Sequence, residues 1–367
     1  MTVFYDHQAF SLQDYGGITR IFSELKTGID RSNNHAHLSL LYSNNIHLKE
    51  NNLAPQTVFR GAQILKRRQV LYTVNQCYNI YDILTSRFDI YHPTYYNPGL
   101  IKYAKHKPVV ATFHDMINEK FAGKFRELRP DDRLIREKKE MAAKATHIIA
   151  VSENTKKDLI EIYGTDPEKI MVIYLGNSFV GNINSSKVNS EKPYLLYVGN
   201  RGLYKNFVPF LKAIAPLLIR HKISFVCAGG KQFTKEEKDV IVQLNVGEYL
   251  IQEPVNDTRL AELYTNALAY VFPSLYEGFG IPVLEAFACN CPCILSNTSS
   301  LPEVAQNGAV YMDPYDPESM YHAVEMVVSD SAIRDKLAKD GGIRLKNFSW
   351  AKHVTETLDL YNDILKK

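Results

Sequence analysis

At 367 residues the chain exceeds what a single hydrophobic core usually supports, which predicts two domains. Its 43 Lys plus Arg nearly balance 40 Asp plus Glu, so no basic excess points to a nucleic-acid partner and none is expected. Nowhere do 18 apolar residues run together, and the start, MTVFYDHQAF, lacks a basic region followed by a long apolar run. The expectation is a cytoplasmic protein without a signal peptide.

In chain order, Val3 to Tyr5 reads as a first strand, and Gly16 and Gly17 form a loop before an amphipathic helix from Ile18 to about Ile29. Strand, glycine loop and helix in succession let backbone amides approach a phosphate. Leu38 to Tyr42 suits a strand, Leu48 to Pro55 a loop, and Arg60 to Thr85 a helix carrying Lys66, Arg67 and Arg68. Asp89 to Tyr91 and Val109 to Phe113 read as strands that end in His92 and His114. Ligands of open parallel sheets bind at such carboxyl ends, so each histidine is either a ligand contact or a structural residue. Lys120 to Lys144 is more basic than acidic, with Pro130 starting a long helix. It is either a solvated helix face or, with Lys66, Arg67 and Arg68, a surface for anionic lipid or a pyrophosphate-linked acceptor. His147 to Val151 and Ile170 to Tyr174 are further strands, with Ser152 as a helix cap between them.

Asn177 to Lys192, rich in Asn, Ser and Gly, has the composition of a linker, and the domain boundary is placed near Ser185. The pattern then restarts. Tyr194 to Val198, Ser224 to Ala228, Ala269 to Phe272, Cys293 to Leu295 and Val310 to Met312 read as strands, with helices at Phe207 to Arg220 and Thr258 to Asn266. Two doubly wound α/β domains are expected, residues 1–184 and 185–349. The last segment, Ser349 to Ile364, is a helix whose apolar stripe through Trp350, Val354, Leu358, Tyr361 and Ile364 needs a surface to cover.

Cys77, Cys227, Cys289, Cys291 and Cys293 lack the spacing of common zinc sites and read as small buried hydrophobes. Two stretches carry chemistry. In GNRGLYKN, Arg201 and Lys205 stand four residues apart after a strand, as a diphosphate leaving group would need when its bond to a sugar breaks. In EGFGIPVLE, Glu277 and Glu285 flank a glycine-containing turn, with Pro282 suited to open a helix, whose first N–H groups and dipole favour a phosphate. Taken alone, Glu277 can also be read as a solvated loop residue and Glu285 as an ordinary helix-start acid.

Together these stretches resemble glycosyltransferase family 4, whose members are retaining enzymes of the GT-B fold. The likeness rests on Gly16 and Gly17, FHD at Phe113 to Asp115, VSENT at Val151 to Thr155, VGNRGLYKN at Val198 to Asn206, PSLYEGFGIPVLEA at Pro273 to Ala286, and FSWAKH at Phe348 to His353. It implies two Rossmann-like domains facing a cleft, an N-terminal one for the acceptor and a C-terminal one for the nucleotide sugar. Residues 350–367 would form a helix that crosses back to the N-terminal domain. By the same resemblance Glu285 binds the ribose and Glu277 the sugar hydroxyls, while Gly278, Phe279, Gly280 and Ile281 offer backbone amides. Arg201 and Lys205 neutralise the diphosphate, Gly16 and Gly17 close over it, His114 meets the donor sugar, and Val255 lies where the nucleobase binds.

The implied reaction is sugar transfer with retention, without a cofactor or metal. FHDMINEKF resembles the form of the motif found in mannosyltransferases, which suggests mannose or a related sugar from a GDP donor. The acceptor is expected to be a glycan or lipid-linked glycan in cell-surface polysaccharide synthesis, reached by peripheral contact with an anionic membrane at its cytoplasmic face. Transfer of glucose or N-acetylglucosamine from a UDP donor, a sugar-nucleotide epimerase and an inactive glycan-binding subunit are the alternatives.

Overall fold

The computed structural model describes residues 1–53, 67–121, 123–124, 132–177, 179 and 192–366. The chain divides into two compact units. One comprises Met1–Lys120, Pro130–Gly176 and Ser349–Lys367; the other comprises Asn177–Phe348 with the short segment starting at Phe121. The boundary expected near Ser185 lies outside the described residues.

The first unit is built on six short parallel strands: β1 (Thr2–Tyr5), β2 (His35–Leu38), β3 (Ile90–His92), β4 (Val110–Phe113), β5 (His147–Ala150) and β6 (Ile170–Val172). They pair in the orders β2-β1-β3 and β4-β5-β6, and a parallel bridge between Tyr91 and Val109 joins the two groups. Burial of β1, β3 and β4 on both faces explains their nearly unbroken apolar runs. The helix after the glycine pair runs Gly17–Asp30, and Ser152 caps the Glu153–Tyr163 helix by accepting from the Thr155 N–H at 3.0 Å.

Three local expectations are corrected. The second strand is His35–Leu38 rather than Leu38 to Tyr42, because pairing with β1 begins at Thr2 opposite His35. The amides of Leu41 and Tyr42 bond instead to the Asn75 side chain, at 3.2 and 3.1 Å. Within the expected loop of Leu48 to Pro55, the chain forms the end of a helix, Ile46–Glu50, whose start Asn45 caps. Finally, Cys77 is exposed, whereas the other four cysteines are buried; all five are free thiols. The helix expected over Arg60 to Thr85 is described from Arg67, and the one expected from Pro130 is described over Asp132–Lys144.

The closing helix, Trp350–Lys366, belongs to this first unit and packs on the Gly17–Asp30 helix. Gly28 makes the approach possible, since a β-carbon there would lie 2.5 Å from Val354 Cγ2. The Tyr361 hydroxyl lies 2.5 Å from His92 Nδ1 and 3.2 Å from the Tyr5 hydroxyl, so the helix is keyed into the sheet by a buried polar chain. His353 adds a 2.9 Å bond between Nδ1 and the Tyr174 carbonyl.

The second unit contains one parallel sheet of β7 (Tyr194–Val198), β8 (Ser224–Ala228), β9 (Leu250–Glu253), β10 (Ala269–Phe272), β11 (Cys293–Ser296) and β12 (Ala309–Met312). Its order is β12-β11-β10-β7-β8-β9. The chain therefore winds one way from β7 and the other way from β10, which opens a crevice between their carboxyl ends. Beneath it lies a core that includes Leu195, Phe207, Phe210, Leu211, Phe225, Val271 and Ile294.

Candidate active site

The stretches GNRGLYKN and EGFGIPVLE leave the carboxyl ends of β7 and β10, the neighbouring strands at the switch in winding. Sheet topology thus brings together two loops more than seventy residues apart. Lys205 Nζ and Glu277 Oε1 meet across them at 2.7 Å, both largely shielded from solvent. The ammonium also lies 5.1 Å from the centre of the Tyr204 ring and 5.2 Å from that of Phe272. Aromatic faces and one carboxylate hold the cation in place without burying it completely.

Arg201 is fixed differently. Its Nε donates to Glu237 Oε1 at 3.0 Å and its Nη2 to the Lys231 carbonyl at 2.5 Å, while the guanidinium lies 4.6 Å from the centre of the Phe233 ring. Nη1 is buried and has no hydrogen-bond partner among the described residues. A buried donor left unmatched costs stability unless something accepts from it, which makes Nη1 a ready contact for an anionic oxygen. The loops here approach so closely that a β-carbon on Gly230 would lie 2.7 Å from the Gly199 carbonyl oxygen.

After β10 the loop turns at Gly280, where φ is +104° and a side chain would be strained. The Ile281–Ala288 helix follows, with Pro282 in its first turn where a missing N–H costs nothing. Gly278 to Ile281 therefore form the entry to that helix, and Glu285 sits about one turn in. Glu285 is buried and lies 3.4 Å from the Tyr264 hydroxyl, whose pKa burial and then the Glu285 charge push up. The two glutamates thus have different partners: Glu277 faces Lys205, Glu285 faces Tyr264. Val255 follows β9, and its Cγ2 would lie 3.9 Å from a β-carbon on Gly229 after β8.

Two supports were missed in the sequence. Ser300, beyond β11, is within donating distance of the carbonyls of Glu277 and Phe279, at 2.9 and 3.0 Å, and the Glu277 N–H donates to Ser299 Oγ at 2.9 Å. Glu237 accepts from Arg201 while completing a capping box with Thr234, whose N–H donates to Glu237 Oε2 at 2.7 Å. The Thr234-Lys-Glu-Glu237 spacing was a legible cap signal, but nothing in it pointed to an arginine 36 residues earlier.

In the first unit, Gly16 caps the Gly17–Asp30 helix and its carbonyl accepts from Thr19 Oγ1 at 2.9 Å. The first N–H groups of that helix have no partner within the helix. His114 follows β4. The residue is half-buried, and its ring lies 6.4 Å from the ring of Phe22 on the Gly17–Asp30 helix, so these two predicted elements are neighbours. Burial lowers its pKa to about 4, with Asp115 opposing and Lys138 reinforcing the shift, and its buried Nδ1 has no partner among the described residues. The ring is neutral at pH 7 and retains hydrogen-bonding capacity.

His92 is a structural residue. Fully buried, it bonds Tyr361 through Nδ1 and Thr112 through Nε2, and burial lowers its pKa to about 3. Lys138 of the expected basic surface is also internal, with Nζ 2.8 Å from Glu119 and from the Asp115 carbonyl. Lys66 lies outside the described residues, as do the side chains of Arg67 and Arg68. Among the described residues, no group of three or more His, Cys, Asp or Glu side chains could hold a metal ion.

Two family models match the chain: glycosyltransferase family 4 over residues 15–177, and glycosyl transferases group 1 over residues 181–342. Among curated proteins, the chain is 28% identical over 292 residues to O-antigen chain mannosyltransferase B of Escherichia coli, covering 74% of each. It is 32% identical over 187 residues to O-antigen chain mannosyltransferase RfbU of Salmonella typhimurium, a match spanning about half of each chain (49% and 50%). Among solved structures, a sucrose-phosphate synthase from Thermosynechococcus elongatus superposes with a TM-score of 0.79 at 17% identity, over 100% of this chain and 99% of that one.

Proposed function

The chain belongs to glycosyltransferase family 4 and has the GT-B fold, and we propose that it transfers mannose or a related sugar from a GDP donor, with retention, to a glycan or lipid-linked acceptor in cell-surface polysaccharide synthesis. The reading is carried by Lys205 and Arg201 at the β7–β10 switch: one cation held by Glu277, the other with a buried Nη1 free to take an oxygen. In the proposed step the bond between the sugar's C1 and the diphosphate oxygen breaks. The acceptor oxygen bonds to C1 from the same face, and its proton passes to the departing phosphate. Lys205 and Arg201 stabilise the charge that develops on the diphosphate.

Glu285 takes the ribose hydroxyls and Glu277 those of the sugar, Gly278 to Ile281 offer backbone N–H groups, and Val255 lies toward the base. For Gly16 and Gly17 the proposal is a helix-start contact with phosphate, and for His114 a neutral hydrogen bond to a sugar hydroxyl. No metal is required, because two side-chain cations neutralise the diphosphate. Mannose is supported by the two O-antigen mannosyltransferase relatives. A lipid-linked acceptor also implies contact with an anionic membrane. No described helix is long and apolar enough to cross one.

A thermal-shift screen of nucleotides and sugar nucleotides tests the donor, and a selective response to GDP and GDP-mannose over their UDP counterparts is expected. Incubation with donor alone should yield no isomer, while donor plus acceptor should release GDP. A response to UDP alone overturns the GDP assignment, and isomerisation without acceptor overturns transfer.

A further inference from the structure

The Arg67–Thr85 helix is apolar on two sides. Inward, Ile83 is buried in a core cluster with Phe4, Phe88 and Tyr91, and Ile80 packs against that cluster. Three polar residues share the inward side of the helix. Asn75 bonds Ser11 Oγ and the Tyr42 carbonyl, Asn79 bonds the Ser39 carbonyl, and Asp82 lies 2.7 Å from His37 Nε2; all three are buried. Its outward face carries Val70, Val74, Cys77, Tyr81 and Leu84, spaced four, three, four and three residues apart, so they form one stripe. Val70 is 51% exposed, Val74 37%, Tyr81 65% and Leu84 48%, and Cys77 is exposed. At about 1.5 Å per residue the stripe is roughly 21 Å long. A continuous apolar line of this length facing water marks an interaction surface.

The surrounding charge selects the occupant. No Asp or Glu occurs from Arg67 to Tyr81. At the Leu84 end, an open groove of about 690 Å³ is lined by Leu84, Phe88 and Tyr103 together with Arg87, Lys105 and Lys107. These three cations are exposed and form no ion pair among the described residues. The neighbouring carboxylate, Asp89, is occupied by the Thr2 N–H at 2.7 Å. An apolar ridge without acids, ending in a recess with unpaired cations, is complementary to a bilayer of anionic lipid. Gln69 and Thr73, beside the other end of the stripe, line a separate groove with Gln8, Tyr95 and Asn97 at the carboxyl ends of β1 and β3.

We propose that the outward stripe of the Arg67–Thr85 helix and the Arg87, Lys105 and Lys107 recess form a docking surface for an anionic phospholipid bilayer. The helix lies along the membrane surface, with Tyr81 and Leu84 entering the interface and the cations meeting lipid phosphates. This extends the membrane contact proposed above to named residues. It also places the groove at Gln69 and Thr73 along the membrane, where the sugar of a lipid-linked acceptor lies.

The test is co-sedimentation of the full chain with vesicles of phosphatidylglycerol and phosphatidylcholine, and with phosphatidylcholine alone. Binding is expected only to the anionic vesicles and should weaken with added salt. The double variants Tyr81→Ser/Leu84→Ser and Lys105→Glu/Lys107→Glu should each lose at least about tenfold in partitioning, with unchanged thermal midpoints. Their nucleotide-induced thermal shifts should match the parent, so failure of the docking surface is distinguishable from failure of the donor assignment. Equal partitioning of both variants, or no vesicle binding by the parent, overturns the proposal. So does a parent dimer that the Tyr81→Ser/Leu84→Ser variant dissociates, since the stripe is then a contact between copies of the chain.

Discussion

The carboxyl ends of the two parallel sheets carry different chemistry. In the second unit the loops after β7 and β10 hold paired charges, with Lys205 on Glu277 and Arg201 on Glu237. In the first unit the carboxyl ends of β3 and β4 carry histidines that burial keeps neutral, His92 and His114. The loop after β7 thus presents side-chain cations, whereas the loop after β4 presents the uncharged ring of His114. A diphosphate requires the former, and sugar hydroxyls are served by the latter.

The largest expected effect tests the neutral side of this contrast. Burial lowers the pKa of His92 to about 3 and those of His114 and His353 to about 4. A ring with a folded pKa below its unfolded value of about 6.5 takes up a proton on unfolding, so stability is full above that pH and falls as pH drops toward about 4. Three such rings should together cost on the order of several kcal/mol across that window. Denaturant unfolding from pH 7.5 to 4.5 should show a plateau above pH 7 and a decline below 6.5. Flat stability down to pH 5 would contradict the neutral assignment.

On the charged side, Lys205→Ala should lower turnover at least about tenfold, roughly 1.4 kcal/mol of transition-state stabilisation, and Glu285→Ala should do the same. The two should differ in binding. Loss of Lys205 should weaken nucleoside diphosphate more than nucleoside, whereas loss of Glu285 should weaken both. Calorimetric titration with GDP and guanosine separates them, and near-normal activity in both variants would overturn the site.

How far the sequence revealed each unit follows from where its signals lie. In the second unit, Ser224 to Ala228 and Ala269 to Phe272 are legible at their observed bounds, because their apolar runs end in glycine or proline. The charged loops were legible because each is a contiguous motif. Their junction was not, since contact between Lys205 and Glu277 depends on strand order. In the first unit, the edge strand His35–Leu38 lacks a β-rich apolar run, and the sequence pattern points to residues further along the chain. The outward stripe of the Arg67–Thr85 helix was equally hidden: periodicity shows that a face is apolar, but not which way it points.

The smallest expected effect concerns Ser300, which separates a charge from the loop that carries it. Its single hydroxyl hydrogen is shared between the carbonyls of Glu277 and Phe279, at 2.9 and 3.0 Å, in a buried setting. Ser300→Ala leaves the Lys205–Glu277 ion pair chemically intact but releases the backbone on both sides of Gly278. A net hydrogen bond of this kind contributes about 1 kcal/mol. Since only part of the released motion reaches the reacting groups, turnover should fall roughly threefold, or about 0.6 kcal/mol, with a rise in donor KM. Such a loss, well below that of Lys205→Ala, would show that the charged unit depends on loop rigidity as well as charge. A loss equal to that of Lys205→Ala would instead mean that the loop position governs the site and that the ion pair is secondary.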